Sequence, residues 1–395
     1  MARPSADTAT GPLAGVTILD LSTVGPAARA TRLLADYGAS VVKVGAVPGR
    51  GHASVTPPFF AYSAQRGMRR VQLDVRHPEG LETFLALVAG ADVVVESFRP
   101  GVVDRLGIGY QDLRKRNPGI IYCSTSGYGQ DGPRSGWAGH DLNYLAVSGY
   151  LAMSGPRADG GPPIPGATIA DAAAGGMQAA LAVTAALFSR HLTGEGTFLD
   201  VSVADGALWI MSLAVDEHLA LGTEPGPGHD VLSGRYACYD TYRTADGRWL
   251  AVAAIEAKFF ANLCRALGCE EWIDHQYDDD SQDRIRTAFA AAFGRSDRDT
   301  WVGKLSGSDT CVAPVQSVSE IAHDPQFADR GAVVEAVDTD GRSFGQVGAV
   351  LAGMPPVSVP VAVRPAEVTD TDELLEAAGL DRARIIDLRR QGVVA

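Results

Sequence analysis

The apolar positions divide the chain into two textures. Residues 16–22 (VTILDLS) form a short apolar run that reads as a buried strand. Residues 25–37 (GPAARATRLLADY) follow at helical spacing, with Gly38 as a C-cap, and 41–44 (VVKV) give a second strand. Strand, helix and strand in that order form a βαβ unit, hence parallel strands joined by a right-handed crossover. The pattern recurs. Pro78 to Ala89 suits a helix with proline in its first turn, and Asp171 to Arg190 suits a long Ala-rich one. Further strands are expected at 91–97 (ADVVVES), 119–126 (GIIYCSTS) and 197–203 (TFLDVSV). The alternation predicts an open α/β sheet. The first turn, STVGPAAR, lacks G-x-G-x-x-G, so nothing there marks a dinucleotide site.

After residue 220 the texture changes. EPGPGHD (224–230) reads as a linker. Residues 237–256 read as two strands around an Asp246–Gly247 turn, with helices near 257–267 and 283–293, giving a small α+β domain. Residues 357–363 (VSVPVAV) alternate like a strand broken by Pro360, and Asp370 to Arg390 is helical in two segments. The expected division is 1–222 for a large domain, 223–335 for the small one, and 336–395 returning to the large domain.

Composition narrows the class. A chain of 395 residues with 46% hydrophobic and 21% charged residues is globular and exceeds one comfortable core. The net charge of −13, without a Lys/Arg cluster, argues against nucleic acid as a partner. Five unpatterned cysteines predict reduced thiols, a cytoplasmic location and no zinc site. The first ten residues read as a loose tail. The most apolar stretch, Ala179 to Phe188, is too short to span a bilayer, so no membrane insertion is expected.

Four segments hold candidate chemistry. GHDLNY (139–144) puts His140 beside Asp141, a pair more often a cap or turn than a catalytic set. In ATIADAAAGGMQAA (167–180), Asp171 opens a helix, where the dipole favours an acid. Gly175 and Gly176 are costly there unless another helix or a ligand packs closely. Glu256 follows an apolar strand and reads as a first-turn acid. In ESFRPGVVDRLG (96–107) a strand end delivers Phe98, Arg99 and Pro100 into a turn, with Arg105 beyond. Strand ends in open α/β sheets face the ligand crevice, and an Arg there suits a phosphate.

Several ordered blocks then carry a family resemblance. PLAGVTILDLSTVGPAARATRLLADYGASVVKV, ESFRPGVVDRLGIGY and YDTYRTADGRWLAVAAIE resemble blocks of the family III CoA-transferases and α-methylacyl-CoA racemases, and GHDLNY is similar to the block marking the racemase branch. The similarity runs from Pro12 to Met354. It implies a large Rossmann-like open-sheet domain and a small α+β domain in an interlocked homodimer. The resemblance further implies that the active site lies between the large domain of one subunit and the small domain of the other. It matches His140 to a base, Asp171 to the opposing acid, and Asp141 and Glu256 to an accessory acidic pair. It matches Lys43, Leu73, Asp74, Val75, Arg76, Ser97, Phe98, Arg99, Arg105, Gly139, Leu142, Asn143 and Tyr144 to stretches lining a CoA site. KVGAVPGR departs from the family pattern at Gly45 and Ala46, with Arg50 as a replacement further on, and the 51–70 loop departs as well.

The activity implied is racemisation at the α-carbon of a 2-methylacyl-CoA thioester through an enolate, with no prosthetic group or metal. Two alternatives stand beside it. One is a CoA-transferase with Asp171 as nucleophile. The other is a catalytically silent acyl-CoA-binding protein.

Overall fold

The computed structural model describes residues 11–49, 58, 60–354, 360–365 and 367–395. The expected N-terminal tail, Arg50, part of the 51–70 loop and residues 357–359 lie outside them. The described chain forms two compact units, one holding Pro165–Ser212, Pro325–Ala395 and the residues up to Tyr150, the other Leu151–Ile164 and Leu213–Asp324.

The first unit is built on β1 (Thr17–Asp20), β2 (Ser40–Gly45), β3 (Arg69–Gln72), β4 (Val93–Glu96), β5 (Ile121–Ser126) and β6 (Phe198–Ser202). All five pairings are parallel, in the order β3-β2-β1-β4-β5-β6. The helices are α1 (Gly25–Asp36), α2 (Pro78–Val88), α3 (Val102–Arg105), α4 (Tyr110–Arg116), α5 (Asp141–Val147), α6 (Tyr150–Met153), α7 (Gln178–Thr193) and α8 (Val203–Ile210). Strand side chains alternate between faces. Leu19, Val42, Val94 and Tyr122 pack with Phe84 and Val88 of α2. Ile18, Val41, Val93 and Cys123 pack with Leu34 of α1 and Val183 of α7. Burial on both faces is why these strands read as unbroken apolar runs.

A π-helix, Ala170–Met177, leads directly into α7. The joined helix, Ala170–Thr193, is 24 residues long and apolar enough by composition to cross a membrane. This corrects the reading that the stretch is too short, because the π-helical turns extend it. Its Ala179, Ala180, Val183 and Ala186 nonetheless pack into the sheet core.

The second unit holds α9 (Ser212–Leu221) from Leu213 onward, then β7 (Tyr239–Arg243), β8 (Trp249–Ala253), α10 (Ala257–Leu267), α11 (Gln282–Phe293), α12 (Arg298–Leu305), β9 (Val312–Pro314) and α13 (Val318–Ile321). The three strands pair antiparallel, and Gly247 takes φ +79° in the expected β7–β8 turn. Phe260, Phe289, Phe293 and Trp301 fill its core. The 224–230 segment does not link the units. It lies inside the second one, where the His229 ring meets Glu217 at 2.7 Å.

The returning segment adds α14 (Pro325–Asp329), β10 (Val333–Val337), β11 (Ser343–Val347), β12 (Val361–Ala362), α15 (Thr371–Ala377) and α16 (Arg382–Arg390). A cut between 335 and 336 would run through β10, which pairs with β11 and β12. Leu374, Leu375, Ile385 and Leu388 complete the α2-side core.

Candidate functional site

The Gly-rich segment after β5 is pinned by one aromatic side chain. A Cβ on Gly127 or Gly139 would lie 2.5 or 2.7 Å from the Tyr144 ring, so only glycine fits at either place. The Tyr144 hydroxyl donates to the Gly139 carbonyl at 2.6 Å, and Tyr128 packs edge-on at 5.2 Å. The pin places exposed His140 at the N-cap of α5, where its N–H donates to Asn143 Oδ1 at 3.0 Å.

Asp141, in the first turn of α5, accepts the Asp171 N–H at 2.8 Å. That bond ties α5 to the π-helix and brings His140, Asp141 and Asp171 together within one unit. α1 and α8 pack closely against the π-helix. A Cβ on Gly175 would lie 2.5 Å from Pro26 Cβ and 3.0 Å from Val203 Cγ2, and one on Gly176 would lie 2.8 Å from Arg29 Cβ. The close neighbours that the two glycines imply are therefore protein. π-Helical turns occur often at functional sites.

Burial, and then the nearby Asp141 charge, hold the Asp171 carboxyl above the ordinary carboxylate range, while Arg29 and His140 oppose the rise. Burial and the charges of Asp171 and Asp141 push the Tyr144 phenol up to about 12. Arg29 escapes a sequence reading, since a cation on an amphipathic helix usually faces water. Here its Nη2 donates to Thr168 Oγ1 at 2.5 Å, and its guanidinium lies 5.4 Å from the Tyr62 ring centre.

The strand order reverses between β1 and β4, so the crevice expected for a ligand opens beside the turns that follow them. Ser97 and Arg99 are exposed there, Phe98 is half-buried, and Arg105 is exposed on α3. Among the described residues neither Arg99 nor Arg105 makes an ion pair. Leu142 and Asn143 are exposed on α5, and half-buried Asp74 accepts from exposed Arg76 Nε at 3.1 Å.

Other expected contacts stand elsewhere. Lys43 is buried, and its ammonium meets Asp20 at 2.6 Å and Ser22 at 3.4 Å, so it is a structural cation and not a free phosphate donor. Leu73 is 2% exposed and belongs to the core, with its N–H on the Gly45 carbonyl. Val75 is half-buried against the same core. Glu256 is the N-cap of α10 in the second unit, one position before the first turn, and is exposed. All five cysteines are free thiols. Among the described residues no group of three His, Cys, Asp or Glu side chains could hold a metal ion.

Comparison with known proteins gives three likenesses and one family match. The family model of CoA-transferase family III matches residues 13–366. The chain is 33% identical to alpha-methylacyl-CoA racemase of Homo sapiens over 385 residues, 97% of each chain. It is 32% identical to succinyl-CoA:glutarate CoA-transferase of Homo sapiens over 338 residues, 82% of this chain and 76% of that protein. The crystal structure of Rv3272 from M. tuberculosis superposes with a TM-score of 0.76 at 27% identity, covering 90% of this chain and 97% of that one.

Proposed function

The chain belongs to CoA-transferase family III, a family of acyl-CoA racemases and CoA-transferases, and on that premise we propose that it is a 2-methylacyl-CoA racemase. The observation that carries the reading is geometric: Asp141 accepts the Asp171 N–H at 2.8 Å, which sets Asp171 beside the segment that bears His140. Burial and Asp141 raise the Asp171 carboxyl above the ordinary carboxylate range, a shift in the direction that suits a proton donor more than an ionised nucleophile.

In this mechanism neutral His140 takes the α-proton of the thioester and the electron pair passes into an enolate. Asp171 returns a proton from the opposite face, and the roles exchange in the reverse direction. Asp141 holds Asp171 in place through its N–H, and Glu256 is the further accessory acid. Arg99, Arg105 and Arg76 contact the CoA phosphates.

Dimerisation is part of the proposal. Leu181, Phe188 and Leu192 of α7 are 71, 67 and 69% exposed, and Trp209 of α8 is 78% exposed. An apolar face of that size suits burial against a second copy. Reduced thiols fit a cytoplasmic enzyme.

The test is α-deuterium exchange and loss of optical activity with a 2-methylacyl-CoA in deuterium oxide. Exchange abolished by His140→Ala and Asp171→Asn is the expected result. CoA transfer to an added carboxylate, lost in Asp171→Ala but kept in His140→Ala, would sink the racemase in favour of the transferase.

A further inference from the structure

Glu96 ends β4 and has no part in the chemistry above. It is 1% exposed. Its Oε2 accepts the Phe98 N–H at 2.6 Å, so the carboxyl closes the turn that presents Arg99. In the sheet register Glu96 lies beside Ser124 on β5, and Ser124 beside Asp200 on β6. The Ser124 hydroxyl bonds Glu96. Gln130 ties this row to the next loop: its Nε2 donates to Ser124 Oγ and its N–H to Asp200 Oδ2, each at 2.9 Å.

The charged groups facing Glu96 are acidic, Asp104 from α3 and Asp200 from β6. The buried Tyr122 phenol and Cys123 thiol on β5 also feel it. No cation pairs with Glu96 among the described residues. Burial pushes its carboxyl up to about 7, although the Ser124 and Phe98 hydrogen bonds oppose the rise.

We propose that Glu96 is a positioning residue for the CoA part of the substrate: in its neutral form it supports the Ser97–Arg99 turn, and its ionisation weakens the grip on a phosphate, so that CoA and one proton bind together. This rests on the reading that the turn contacts CoA. An ionised Glu96 would place an unpaired negative charge, in a poorly screened interior, directly behind the turn that must hold an anion. By linkage, an anion bound at the turn raises the affinity of Glu96 for its proton by the same factor.

Calorimetric titration with free CoA between about pH 6 and pH 8 tests this, in paired buffers of different ionisation enthalpy that count protons. Wild type should take up protons on binding near neutrality and lose up to about tenfold in affinity, relative to Glu96→Gln, for each pH unit above about 7. The difference between wild type and Glu96→Gln isolates the residue, because the CoA phosphates titrate equally in both proteins and the amide oxygen of the variant still accepts from Phe98. Equal pH profiles and proton counts in the two proteins would overturn the proposal. If the variant does not fold, dephospho-CoA with wild type decides, since its pyrophosphate does not titrate near neutrality: proton uptake supports the proposal and none overturns it. Absence of CoA binding by wild type at every pH would instead overturn the acyl-CoA reading, and this inference with it.

Discussion

Asp20 and Glu96 end adjacent strands of one parallel sheet, β1 and β4, and both are buried. Asp20 is surrounded by donors: the Lys43 ammonium, the Thr31 hydroxyl, and the Ser22 N–H and hydroxyl. Glu96 has the Phe98 N–H and Ser124, with acids beyond. A buried carboxylate matched by a cation, as Asp20 is by Lys43, ties β1 to β2. One without a cation stays close to its neutral form, and its proton remains available for linkage to a ligand. Asp171, on the π-helix, shifts in the same direction, since burial and Asp141 outweigh Arg29 and His140. The sheet edge thus sets a carboxylate held by a cation beside one that has none.

The largest effect is expected on the unmatched side. Asp171→Asn should lower α-proton exchange by about 10²- to 10⁴-fold while raising the thermal midpoint above neutral pH, because a buried acid no longer has to ionise. Exchange kinetics and melting curves on the same samples check both halves. On the matched side, Lys43→Met strands the Asp20 charge and should cost about 3–5 kcal/mol in urea unfolding. The double change Lys43→Met with Asp20→Asn should recover much of that loss, and a double variant no better than the single would break the comparison.

Glu96 should also leave a mark on stability against pH. Its folded-state value lies above its ordinary 4.5, at about 7. Its contribution is therefore fully present below about pH 4.5 and is lost as pH rises through about 7. Melting temperatures of Glu96→Gln should lack that part of the decline, and a parallel decline in both proteins would contradict the assignment. The smallest effect is Tyr144→Phe, which removes the bond to the Gly139 carbonyl and should cost about 0.5–1.5 kcal/mol, read from the same urea curves.

The βαβ units and the β7–β8 hairpin were legible because their periodicity and turn residues are local. β3 (RRVQ) was not, because a polar edge strand is defined by its pairing with β2 and not by its own pattern. The 224–230 segment is a loop, as its composition suggests, but the linker reading missed its place inside the second unit, where the His229–Glu217 contact holds it. His140, Asp141 and Asp171 were visible as residues, but only as caps and turns.

The amino-acid sequence by itself determined the apolar runs, the turns and the residue types at the sheet edge, since each follows from local patterning. Tertiary structure decided which ionisable groups meet. Lys43 and Asp20 are 23 positions apart, and Asp141 and Asp171 are 30 apart. Charge states follow from burial and from partners distant in the chain, and neither is written in local spacing. That is why Lys43 is a structural cation and Glu96, in an ordinary strand end, is left without one.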